Sequence, residues 1–599
     1  MKGGLRKSMT WLHTWSSLIV IWILFAIFLT GTTSFFRAEI THWMTPEHHV
    51  STPVDQPLLA AVEYLESVAP YGETWQISLP DSRSPVLGLN WQAEGEERQR
   101  RRGARAVLDP ATGDPIDEAR DTAGGNFLFR FHYELYGVPR GVGQWIVGIA
   151  SMLMFIAIIS GIIMHRKIFA DFFSFRPGKK TASRVDAHVV GSVLALPFHI
   201  MITFTGLFLL AGTLLFWQGG NERGGNQGQS QQQGQQQGQQ EGQRQGRQQA
   251  GSEGLSHENA QVNTQRGAQE GRGQNTGQNK TESRAEFRAQ NTTESRTENE
   301  SPRTERRQQQ AISASAQREP VNVDLDALFQ QAEALLNQSV ADITVTKPMT
   351  DGVEIRFRGS QKSHLSHFRG GIPEVSFNAD GGVIKENYPS GAEGAVATTY
   401  GVLRSLHEGH FADIITRWLL FFAGVLGTVM VGSGALLWSQ KRQRQLAGKR
   451  GFELVSALNL AGIAGMFVAL GAYFWANRII PVDIEDRGDL EIATFFSAWL
   501  LCLIYAVFFR NKHGWLIQLA VAGVLFVLLP VLDFLTSPVG LTDAIAGGDW
   551  VRLSFDLIAL LTALGLWTAV YYLIKKARTT NNKPVKSRAA QTPMKDATV

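Results

Sequence analysis

Eight apolar blocks alternate with polar stretches along this chain of 599 residues. A bilayer core of roughly 30 Å needs about 20 helical residues at 1.5 Å each. The blocks at 12–36, 142–165, 188–217, 413–438, 453–476, 491–509, 514–535 and 551–574 meet that requirement. The pattern predicts an all-α polytopic membrane protein of about eight transmembrane helices. The first block follows the basic start MKGGLRK, as a signal peptide would. It is long for a signal segment and has no A-x-A-like site behind it, so it reads as a retained span.

Lys and Arg crowd alternate connections. They gather at Lys2, Arg6 and Lys7, again after the second block (Arg166 to Arg184), after the fourth (Lys441 to Arg450), at Arg510 and Lys512, and at Lys575, Lys576 and Arg578. By the positive-inside rule both termini, including the tail 575–599, are cytoplasmic. Two large loops, 37–141 and 218–412, therefore project outward.

Within those loops the period changes. Each holds an amphipathic helix (PLLAAVEYLESVAP and VDLDALFQQAEALL) followed by short alternating strands, and each last hairpin turns on a D/N-x-x-G type sequence. Two small α+β domains related by an internal duplication are expected. Residues 219–319 interrupt the second with Gln, Gly, Arg, Glu, Asn and Ser. So few aliphatic residues cannot offset the entropy of ordering, and disorder is expected there.

Composition removes several function classes. The net charge of +4 says little, and the one cysteine, Cys502, lies in an apolar run. A disulfide, a four-cysteine iron–sulfur site and a CxxCH haem attachment are therefore excluded. No Walker motif, nucleotide-binding G-x-G-x-x-G, HExxH or Ser-His-Asp arrangement is present. No nucleic-acid partner is expected.

The candidate chemistry lies in histidines at or near the ends of the first four blocks. A polar ring near membrane depth needs a partner or a purpose, and imidazole is a common ligand of haem iron. His13, His165 and His188 fall at the cytoplasmic ends of the blocks; His132, His407 and His410 fall just outside the opposite ends. His199 is eleven residues beyond His188 and, on an unbroken helix, shares its face. His132 and His165 are about 50 Å apart on a continuous helix, too far to serve one iron. Interfacial rings meeting headgroups are the alternative.

Several strings resemble the PepSY-associated transmembrane family: WLHTWSSLIVIWILFAIFLTGTTSFFRAEI, FHYELYGVPRGVGQWIVGIASMLMFIAIISGIIMHRKIFADFFSFRPG, DAHVVGSVLALPFHIMITFTGLFL and SLHEGHFADIITRWLLFFAGVLGTVMVGSGALLW, with LDPATGDPI resembling a PepSY hairpin. Family members include haem-containing inner-membrane ferric-siderophore reductases. The resemblance implies reduction of a ferric siderophore or other iron chelate during iron uptake, with two non-covalent b haems. The expected axial pairs are His132 with His407 (alternative His410) and His13 with His188 (alternative His165), with His199 a deeper ligand or relay. Arg417, and also Arg130, Arg140, Arg404 and Arg184, are candidate partners of haem propionates. No nucleotide module is present, so electrons would come from membrane quinol or a separate donor protein. The other readings are a non-redox iron-chelate binding or transport component and a regulatory membrane protein acting through PepSY units.

Overall fold

The computed structural model describes residues 2–211 and 323–581, apart from 50–56, 94–103, 165–181, 361–371, 389–393, 410–411 and a few isolated or paired positions. His165, His410 and the tract 219–319 lie outside the described residues, as do the side chain of Arg184 and most of the tail.

Seven helices are long and apolar enough to cross a membrane: Gly4–Ser34, Arg140–Met164, Ile414–Leu446, Arg450–Ile479, Arg487–Phe508, Lys512–Thr536 and Trp550–Lys576. A bent pair, His188–Leu194 with Leu196–Ala211, brings the number to eight if it is one span. In chain order these are spans 1 to 8, the bent pair being span 3. The expected blocks are all recovered, but the third is not straight: its halves meet at 72°. Pro197 accounts for the break. It has no N–H for the carbonyl of Val193, its ring crowds that carbonyl, and it disfavours helical backbone at Leu196. The expectation that His188 and His199 share a helix face therefore fails, because a count of turns does not carry across such a break.

One apolar core joins the leading and trailing spans. It includes Leu24 and Phe25 of span 1, Met154 of span 2, Val431 of span 4, Leu460 and Tyr473 of span 5, Phe495 of span 6, Phe526 of span 7 and Ala563 of span 8. Glycines let backbones approach, as transmembrane packing favours. A methyl group at Gly432 would lie 3.0 Å from Phe25, and one at Gly471 would lie 2.8 Å from Leu525.

The short helix Gly124–Glu134 was expected to run straight into span 2. It is instead a separate helix, closed by Leu135 at φ 49° and by Gly137 at φ 87°. Its residues pack back on the bundle, with Phe127 and Phe131 in the membrane core.

The two loop domains are not separate sheets. β1 (Gly72–Ser78), β2 (Leu87–Ala93), β3 (Ala104–Leu108), β4 (Val340–Thr346), β5 (Glu354–Gly359), β6 (Glu374–Phe377) and β7 (Val383–Asn387) form one antiparallel sheet in the order β3-β2-β1-β4-β5-β6-β7. The halves fuse where β1 pairs with β4, Ile77 opposite Ile343 and Trp75 opposite Val345. Pairing removes two exposed strand edges at once. The helices Pro57–Val68 and Leu325–Leu336 cover the apolar face through Leu58, Ala61 and Leu65, and through Leu328, Ala332 and Leu336. Gly113 (φ 73°) and Gly381 (φ 75°) occupy matching places in the two last hairpins, where a left-handed residue is required. Each half thus has a helix, antiparallel strands and a glycine turn, with three strands in the first half and four in the second.

Candidate functional site

Four of the expected histidines meet as two pairs, one toward each end of the leading bundle. At the end nearer the sheet, the His132 and His407 rings lie 6.1 Å apart between centroids and 30° apart in plane. At the opposite end, the His13 and His188 rings lie 6.5 Å apart at 76°. Two imidazoles bound trans to one iron, each through a bond of about 2 Å, have centroids about 6 Å apart. Both pairs fit that spacing without rearrangement.

The backbone fixes how each ring faces. His13 Nδ1 is 2.8 Å from the Ala157 carbonyl, His132 Nδ1 is 2.8 Å from the Ile27 carbonyl, and His188 Nδ1 is 2.9 Å from the Met430 carbonyl. A carbonyl only accepts, so each Nδ1 carries the proton and Nε2 keeps its lone pair, the tautomer a metal ligand needs. His407 Nδ1 faces the Thr205 hydroxyl at 2.9 Å. Thr205 gives its own hydrogen to the Met201 carbonyl at 2.7 Å, so its oxygen accepts from His407.

Each ring also sits where a neighbouring span has no side chain. A methyl group at Gly31 would overlap His132, and one at Gly206 would come within 2.8 Å of His407. Gly161 places the same group 3.4 Å from His13, and Gly434 places it 3.3 Å from His188. In all four the nearest ring atoms belong to the Nδ1–Cε1 edge. All four residues are half-buried.

His199 differs. It is only 1% exposed, its Nε2 has no hydrogen-bond partner among the described residues, and that same atom faces the position a Gly427 methyl group would take, at 3.1 Å. It meets Phe28 edge-on at 6.0 Å. Gly427 precedes Gly434 on span 4 by seven residues and His199 precedes Gly206 on span 3 by seven, each about 10.5 Å of helix. His199 therefore lies between the pairs and belongs to neither. His165 and His410 lie outside the described residues.

The arginines singled out from sequence already hold protein carboxylates. Arg417 Nη1 is 3.0 Å from Glu39, which Arg83 also grips at 2.9 Å. Arg130 and Arg140 both pair with Glu134, and Arg404 pairs with Glu408. The Arg83–Glu39–Arg417 group ties the β1–β2 loop to span 4 and to the helix Arg37–Trp43 that follows span 1.

Spans 5 to 8 carry more charge than Asp533 and Asp556 alone suggested. Asp533 accepts from Arg478 at 2.7 Å and from Arg552 at 2.5 Å, with all three side chains at most 1% exposed. Arg478 also lies over Trp43, 4.2 Å from its ring centre, and Trp43 donates to Asp556 at 3.0 Å. Nearby, Arg487 pairs with Glu491, which Thr122 and Asn477 also bond. His42 and His49 are buried against this group. His42 faces Asp549 at 3.3 Å and His49 faces Ser537 at 2.8 Å. His49 is held well below the usual imidazole range, first by burial and then by His42, Arg478 and Arg552. Trp43 is fully buried, whereas Trp11 and Trp145 are exposed. These burials share a cause: the segment after span 1 turns back against spans 7 and 8, which no local pattern encodes.

Together the features define a multi-pass helical membrane protein with two spaced histidine pairs, His13 and His188 on spans 1 and 3, and His132 and His407 on the short helices Gly124–Glu134 and Ala395–Glu408 that precede spans 2 and 4. Residues 10–441 match the family described as the PepSY-associated TM region, and the chain belongs to that family. No curated protein matches the chain significantly.

Proposed function

We propose that this protein is a b-type haem oxidoreductase of the bacterial inner membrane that passes electrons across the bilayer to a ferric siderophore or other iron chelate in the periplasm. The observation that carries this reading is the pair of histidine couples, each spaced for one iron and each tautomerically prepared, at opposite ends of one bundle. Among the described residues no group of three or more His, Cys, Asp or Glu could hold a metal. Two imidazoles are too few donors for a bare ion, whereas haem needs only axial ligands from the protein.

Haem would supply one-electron redox chemistry. The protein's part is to place and tune it. His132 with His407, and His13 with His188, would be the axial ligands; the glycines beneath them admit the rings; the carbonyls at Nδ1 raise ligand basicity. His13 and Gly31, which touches His132, are 18 residues apart on span 1, about 27 Å of helix, so the two stations divide the crossing. Reduction would weaken chelation, because Fe(II) binds such ligands less tightly and exchanges faster. The sheet, tied to the bundle by Arg83, Glu39 and Arg417, would position the chelate.

Purified protein from haem-replete cells should show a Soret band that shifts on dithionite, with about two haems per chain by pyridine haemochrome. His132→Ala and His407→Ala should each remove the same spectral component, and His13→Ala and His188→Ala the other. A colourless preparation would sink the redox reading and leave a non-redox role in chelate binding or regulation.

A further inference from the structure

The four candidate ligands differ in the group that faces Nδ1. His13, His132 and His188 each direct Nδ1 at a backbone carbonyl, whereas His407 directs it at the hydroxyl of Thr205. The two acceptors are chemically unequal. An amide carbonyl carries more negative charge on oxygen than an alcohol does. The Thr205 hydroxyl is also oriented by its own bond to the Met201 carbonyl at 2.7 Å. The Ile202 carbonyl is a second neighbour of the His407 ring. Ser433 lies near His188 Nδ1 at 3.4 Å, but that ring's closer partner is the Met430 carbonyl, at 2.9 Å.

The strength of the bond at Nδ1–H governs electron donation from Nε2. A strong acceptor gives the imidazole more imidazolate character, which favours ferric over ferrous iron and lowers the potential. The pair near the basic end has two carbonyl-backed rings. The pair near the sheet has one carbonyl-backed ring and one hydroxyl-backed ring.

We propose that Thr205 is a positioning residue that raises the potential of a haem held by His132 and His407 above that of one held by His13 and His188, so that an electron moves downhill toward the sheet side. The inference rests on the haem reading above. In the transfer, one ferrous centre is oxidised and the other, ferric, is reduced; no bond is made or broken.

The test is an anaerobic potentiometric titration of the purified protein, following the two centres by their visible bands and by their low-spin EPR signals. Unaltered protein should show two midpoints, with the higher one lost in His407→Ala. In Thr205→Val the His407 Nδ1–H is left to the Ile202 carbonyl, so that midpoint should fall while the other stays. Thr205→Ser keeps the hydroxyl and should restore it. The proposal is overturned if the centre lost in His407→Ala is the lower of the two, if Thr205→Val moves neither midpoint, or if it moves both equally. If Thr205→Val does not fold, the Thr205→Ser and unaltered proteins still decide the order of the midpoints. Absence of haem would be a different result, rejecting the underlying reading before any potential is measured.

Discussion

At the scale of the residue, the telling partners of the histidines are glycines. An imidazole whose Nδ1–Cε1 edge presses on a helix backbone needs a position without Cβ, and Gly31 and Gly206 supply it, with Gly434 and Gly161 beside the other two rings. Replacing Gly31 with Ala should force His132 aside. Overpacking of this kind costs about 1–3 kcal/mol. Haem content should then fall toward one per chain with the component lost in His132→Ala missing; an unchanged spectrum would show that the ring has room to move. The histidines were legible in the sequence because their side chains announce a chemistry. The glycines were not, since a transmembrane helix uses glycine for many contacts and only the fold shows which one lies beneath a ring.

At the scale of the element, the bend in span 3 decides which histidines act together. Pro197 breaks the span into halves at 72°, and the first half presents His188 to Met430 and Gly434 while the second brings Gly206 to His407. Proline removes one helical hydrogen bond and crowds the preceding turn. Pro197→Leu restores the missing N–H and should straighten the span, drawing His188 away from span 4. Loss of the His13–His188 component from the redox difference spectrum, with the other kept, is the expected outcome. Two intact components would mean that packing, not proline, imposes the bend. The proline was visible in the sequence, but whether it kinks a helix slightly or folds it by 72° depends on neighbours.

At the scale of the whole molecule, the buried ions fasten the halves together. Arg478, Asp533 and Arg552 come from spans 5, 7 and 8, and Arg478 also bonds the Trp43 carbonyl at 2.5 Å, beyond span 1. Removing the carboxylate with Asp533→Ala leaves two guanidiniums buried without their counter-charge, a change that costs about 3–5 kcal/mol. The apparent unfolding temperature in detergent should drop clearly, and Arg478→Met combined with Asp533→Ala and Arg552→Met should recover part of it. A single variant as stable as the parent would show that water already reaches the cluster.

The sequence by itself determined where the apolar spans lie, the helix and alternating strands of each large loop, and the histidines worth considering, because each rests on local physics: apolar length against bilayer thickness, period 2 against period 3.6, and the rarity of imidazole near membrane depth. Tertiary structure alone decided that the repeats share one sheet through β1 and β4, and that His42, His49 and Trp43 are buried structural groups. It alone removed His199 from the helix face of His188 and gave Arg417 a carboxylate partner. Those outcomes depend on which surfaces meet across hundreds of residues. An edge strand, a buried ring or a lone arginine carries no local mark of the partner that satisfies it.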